Sequence, residues 1–332
     1  MTSSDTSPAL FARESAAHVA PFELYPGALA VSGRRVIVGT LSGWAIYDLP
    51  NLALLASNAR VLEDEGGISG VQWDGEDALL LAQHRALPKE LLVLSQAHTV
   101  TLAHVLPSGD WQLVKHAPGP HVFLYDVGEA SGIVCHDREG QCWHTPMPDV
   151  RRVVAAGEHL LCLGRERLLV LARDGSITAT ITTPGACAWT TATAGPDGEL
   201  WLGGYDKVTH AFAVTRLDRR GTGEIHQHPL ASVFAAKTIR AAFADADCGI
   251  DLFHVGRMYV TAPDTLLVAL GGGGDELGAS QGAAALGIVH LGERVTWRTH
   301  VVSTEDGISG FAALGEGRWL VDLCGEMRVY AS

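Results

Sequence analysis

Three aspartates, Asp245, Asp247 and Asp251, stand close together in a stretch that ends at His254. Carboxylates at such spacing suit a hard divalent cation, because calcium gathers six to eight oxygen ligands at about 2.3–2.6 Å. No glutamate closes the loop where a calcium loop would need one, so the set is a partial ligand shell for calcium or magnesium, and Asp245 could equally cap the end of a helix. Two imidazoles are candidates for a general base: His254, between Phe253 and Val255, and His84, beside Arg85. Either ring could instead be packed with one nitrogen satisfied.

Further carboxylates flank two matching segments. Glu63-Asp64-Glu65 precedes Gly67-Ile68-Ser69-Gly70, and Glu305-Asp306 precedes Gly307-Ile308-Ser309-Gly310, so Ser69 and Ser309 share one setting. Asp275-Glu276 follows the run Gly271–Gly274. That run is no phosphate cradle: it does not fit GxGxxG, the chain has no Gly-Lys pair, and the acid pair would repel phosphate. Neither HExxH nor CxxC occurs. No organic cofactor is expected, and a divalent cation is the one inorganic ligand the pattern admits.

The charge balance restricts partners. Lys+Arg 24 against Asp+Glu 37 leaves −13, a field that opposes nucleic acid and anionic membrane surfaces and favours a protein partner with a basic surface. With 47% hydrophobic residues in 332, the chain can bury a sizeable core as one domain. Met1–Ala20 carries Asp5, Arg13, Glu14 and His18, so a secretory leader is not expected and a soluble, cytoplasmic protein is. The six cysteines, with no close pair, read as reduced thiols, although Cys135 and Cys142 could meet across a hairpin.

These residues have to be positioned by something, and the chain offers a repeat. A Gly-bounded apolar segment, two further apolar segments and a polar turn recur about every 40 residues. Gly67–Gly75 followed by Leu79-Leu80-Leu81 matches Gly307–Gly315 followed by Trp319-Leu320-Val321. Units start near Ala28, Ile68, Trp111, Val150, Ala188, Met258 and Ile308, and a 3.6-residue period is largely absent. Seven four-stranded units imply a radial array, in which each twisted sheet buries its faces only against its neighbours.

Gly43-Trp44-Ala45-Ile46-Tyr47-Asp48-Leu49 and Met327-Arg328-Val329-Tyr330 resemble third strands of WD40 repeats, and the chain as a whole resembles a seven-bladed WD40-like β-propeller. The likeness implies an all-β fold of four-stranded antiparallel blades over residues 1–332. The last unit lacks a fourth strand, and residues 18–25 (His18 to Tyr25) are expected to supply it, after a flexible 1–17. Two segments depart from the plan. Residues 229–255 suggest a short helix before blade six, because Leu230, Val233, Phe234 and Ile239 recur at helical spacing after Pro229. Gly271–Gly278 suggests a mobile loop in blade six.

In an antiparallel blade, the connection entering the first strand and the connection between strands two and three leave from the same end. Both departures, Glu65, Glu305 and His84 therefore converge on one mouth of the channel. Two readings follow. In one, Glu65, Ser69, His84, Asp251, His254, Asp275, Glu276, Glu305 and Ser309 form an acidic rim that binds a basic protein without chemistry. In the other, the same mouth is the active site of a small-molecule hydrolase or lyase, with His84 or His254 as base and Asp245, Asp247 and Asp251 on a metal.

Overall fold

The computed structural model describes residues 11–18, 24–41, 43–59, 61–62, 66–84, 88–107, 109–114, 122–126, 132–136, 140–195, 197–206, 208–209, 211–218, 222–229, 254–273, 282–303, 308, 310–323 and 326–331. They form seven four-stranded antiparallel sheets. Among the described residues there is no helix, hence none long and apolar enough to cross a membrane. The chain is a seven-bladed β-propeller.

The first strands of blades one to seven are Leu24–Ser32, Gly67–Asp74, Trp111–Leu113, Arg152–Ala156, Cys187–Ala194, His254–Ala262 and Gly310–Gly315. Each begins within four residues of its expected start. First strands adjoin one another around the channel between blades one and two, two and three, four and five, five and six, and seven and one. Fourth strands form the outer edge, and Ala53–Asn58 and Ile177–Thr182 there are largely exposed.

A blade buried on both faces needs unbroken apolar runs, and the period of two sends successive residues to opposite neighbours. In blade two, Leu79 and Leu81 join a cluster with Trp111 and Leu124 of blade three. Leu80 and Ala82, between and after them, join one with Ile37 and Trp44 of blade one. Seven such clusters fill the seven joints between blades. The one Trp-Asp pair of the chain belongs to a joint as well. Trp73 Nε1 donates to the Ala30 carbonyl of blade one at 3.1 Å, and the Arg35 guanidinium lies 4.8 Å over the ring.

The repeated Gly-Ile-Ser-Gly segment has a packing explanation. A Cβ on Gly70 would lie 2.8 Å from Leu113 Cβ of blade three, and one on Gly310 would lie 2.1 Å from Leu29 Cδ2 of blade one. The glycine admits the leucine of the next innermost strand, where the blades crowd together.

Several details differ from the sequence expectation. The strand beside Glu326–Ala331 is Ala12–His18, antiparallel to it, rather than 18–25 after a flexible 1–17. Leu24 and Tyr25 instead open the first strand of blade one. The anchor is Phe11, 2% exposed in a cluster with Phe311, Trp319 and Tyr330, and burying that ring draws the segment after it onto the blade. Gly271, Gly272 and Gly273 are strand residues opposite Ala284, Ala283 and Gly282, so the second strand of blade six runs three residues into the expected loop. The proposed helix over 230–253 lies outside the described residues. Trp143, and not Cys142, stands opposite Cys135, and Cys135, Cys142, Cys162 and Cys187 are free thiols.

Candidate functional site

The first strands of blades two to six surround a cavity of ≈ 860 Å³ in the central channel. Among the described residues its charged lining consists of Lys89, Asp110, Arg151, Arg152 and Arg257, four cations against one carboxylate, in a protein whose net charge is −13. Arg151 precedes, and Arg152 opens, the first strand of blade four. Arg257 lies near the start of the first strand of blade six, just past a register shift between Val255 and Arg257. Such a bulge re-aims the side chain that follows it. Blades two and five bulge at the matching position, between Ile68 and Gly70 and between Trp189 and Thr191.

The cations differ in how they are held. Lys89 Nζ pairs with Asp110 Oδ1 at 2.8 Å and donates to the Trp111 carbonyl at 2.9 Å. Arg257 donates one N–H to the Phe311 carbonyl of blade seven at 3.1 Å, and Tyr259 Oη donates to the same oxygen at 3.2 Å. Tyr125 Oη donates to Gln112 Oε1 at 2.8 Å. Its pKa is raised by burial, against the attraction of Arg152 and Arg257. Arg152 is half-buried, and its pKa is lowered by burial, with Tyr125 opposing that fall and the like charge of Arg257 adding to it. Among the described residues no carboxylate pairs with Arg152, so a partly desolvated guanidinium faces the cavity beside a second one.

Of the expected site residues, the structure brings Ser69 to the channel wall and accounts for it structurally. Ser69 is the extra residue of the blade-two bulge, and its Oγ donates to the Leu81 carbonyl at 3.3 Å. Thr190 does the same in blade five, to Gly203 at 3.4 Å. His84 Nε2 lies 3.1 Å from Glu90 Oε2 across one connection of blade two, and His84 is not part of the cavity lining. The main chain of His254 opens the first strand of blade six, paired with Gly271. The side chain of His254 lies outside the described residues, as do Glu65, Asp245, Asp247, Asp251, Asp275, Glu276, Glu305 and Ser309. Among the described residues no three His, Cys, Asp or Glu gather as a metal site would require.

Lys89, Gln112, Tyr125, Arg152 and Arg257 were not among the expected residues. One signal existed: Arg151-Arg152 and Arg257 interrupt apolar segments that become first strands, where an inward cation is out of keeping with a core. Gly278-Ala279-Ser280-Gln281-Gly282 has GxSxG spacing, but Gly282 begins a strand antiparallel to the preceding one. The segment therefore joins two strands of one sheet, unlike the strand-to-helix turn of a nucleophile elbow.

No protein-family model matches the chain, and no curated protein does. Solved structures do match. YCF48 bound to D1 peptide superposes with a TM-score of 0.67 at 11% identity, covering 99% of this chain and 96% of that one. Catalytically inactive virginiamycin B lyase from Staphylococcus aureus with quinupristin gives 0.63 at 11%, covering 97% and 99%. The Neurospora crassa Pan2 WD40 domain gives 0.63 at 8%, covering 97% and 95%. At these identities the likeness is one of fold, and the fold serves both binding proteins and an enzyme.

Proposed function

We propose that this propeller is a non-catalytic binding platform that holds a protein partner at the channel end where its first strands begin. The observation that carries this reading is the wall of the cavity. Among the described residues, arginine, lysine, tyrosine and glutamine side chains from several blades line it, with one carboxylate. Fixed polar groups contributed by several blades of a rigid ring suit recognition of a ligand. The enzymatic alternative leans on His84 and His254, and His84 pairs locally with Glu90.

The partner's character follows from charge. By strand order, the connections carrying Glu65, Asp251, Asp275, Glu276 and Glu305 leave from this same end, and the net charge of −13 steers a basic surface toward it. The test is capture of a partner on immobilised protein from a lysate of the source cells, identified by mass spectrometry and repeated with the purified partner. D275K/E276K is expected to lose most of the captured partner. D174K, in the turn between strands three and four at the opposite end, is expected to retain it. Equal capture by both variants would overturn the reading.

A further inference from the structure

The cavity wall carries the platform reading, and its cations also bear on what enters the channel. Arg152 and Arg257 both line one cavity of ≈ 860 Å³, whose one described carboxylate, Asp110, is paired with Lys89. Arg152 is half-buried there, and the like charge of Arg257 adds to the cost of keeping it charged. Such an arrangement is favourable once an anion sits between them, since a guanidinium presents a fork of donors matched to two oxygens. Tyr125 and Gln112, hydrogen-bonded to each other, hold that part of the wall rigid.

We propose that Arg152 and Arg257 bind a carboxylate of a peptide inserted into the channel, from an acidic side chain or from a chain end. The choice of carboxylate rests on the charge of the two regions together. A polyphosphate or nucleic acid would meet the net negative field and the acidic connections before it reached the arginines. A single carboxylate flanked by basic residues satisfies the channel and the rim at once. This inference rests on the platform reading for its occupant, and on the cavity for its site.

Three synthetic nine-residue peptides, each with lysines near both ends in a Gly/Ser background, test it by calorimetric titration at about 0.1 M salt. The first carries a central glutamate with both ends blocked, the second a central glutamine with both ends blocked, and the third a central glutamine with a free terminal carboxylate. The first or the third, or both, should bind at least tenfold tighter than the second, and which one does identifies the source. That preference should vanish in R152Q/R257Q. Thermal unfolding of R152Q without peptide separates ligand binding from structure: the midpoint should hold or rise, since a like-charge repulsion is relieved.

Binding of all three peptides within twofold on the wild-type protein would overturn the proposal with no variant needed. So would displacement of the glutamate peptide by inorganic phosphate at lower concentration than by acetate, or an R152Q midpoint lowered by several degrees. The two readings fail separately. Partner capture lost in D275K/E276K but intact in R152Q/R257Q keeps the platform and removes the channel site. The reverse pattern keeps the channel site and moves the docking surface away from the acidic connections.

Discussion

His300 shows how burial tunes a single residue. Its ring lies edge-on to Phe11 and to Tyr330, each 5.9 Å away, and burial lowers its pKa. His228, stacked on Trp297 at 4.8 Å, is lowered by burial in the same way. A histidine whose pKa falls on folding binds more protons in the unfolded chain, where it titrates near about 6.5. Its contribution is therefore complete above that pH and is lost as pH falls through 6.5 toward the folded value. The unfolding midpoint, measured from pH 7.5 to pH 5, should decline for the wild-type protein and decline less for H300F and H228F. Parallel curves for all three would show that neither ring controls acid sensitivity.

At the scale of the element, the first strands are limited by crowding rather than by propensity. Gly70 faces Leu113 Cβ, which cannot retreat without moving its backbone, whereas Gly310 faces the Cδ2 end of Leu29. An added methyl in a close-packed core costs about 1–3 kcal/mol when the backbone must yield. G70A should therefore lower the denaturation midpoint more than G310A, and L29V should restore much of the loss in G310A. If G70A unfolds like wild type, the strand spacing is not set by this contact.

The whole molecule is a ring whose last blade takes its outer strand from Ala12–His18 and its remaining strands from Gly310–Ala331. Residues far apart in sequence thus share one sheet, and the buried ring of Phe11 secures the end of the added strand. Removing a buried phenylalanine costs about 3–5 kcal/mol, so F11A should lower stability by that order. Deletion of residues 1–18 should broaden the unfolding transition by exposing the edge at Glu326–Ala331. A truncated protein that melts as sharply and as late as the full chain would mean that the ring holds without this strand.

The blade count and the third strands at Trp44–Asp48 and Glu326–Ala331 were legible in the sequence, because period-two apolar runs bounded by turns depend only on neighbours along the chain. The Gly-Ile-Ser-Gly repeat was legible too, but as a possible site; its cause, a leucine from the next blade against each second glycine, exists only when two blades meet. The closing strand was misjudged for the same reason, since the burial of Phe11 is decided by residues some three hundred positions away. Arg152 and Arg257 stand out in the sequence only as cations within apolar segments, two of its 24 lysines and arginines. Chain order alone cannot say that they share a cavity, because a one-residue change of register, such as the bulge before Arg257, turns a strand side chain from one face to the other. Local patterning determined the blades, and the closing of the ring decided which side chains face one another across the channel.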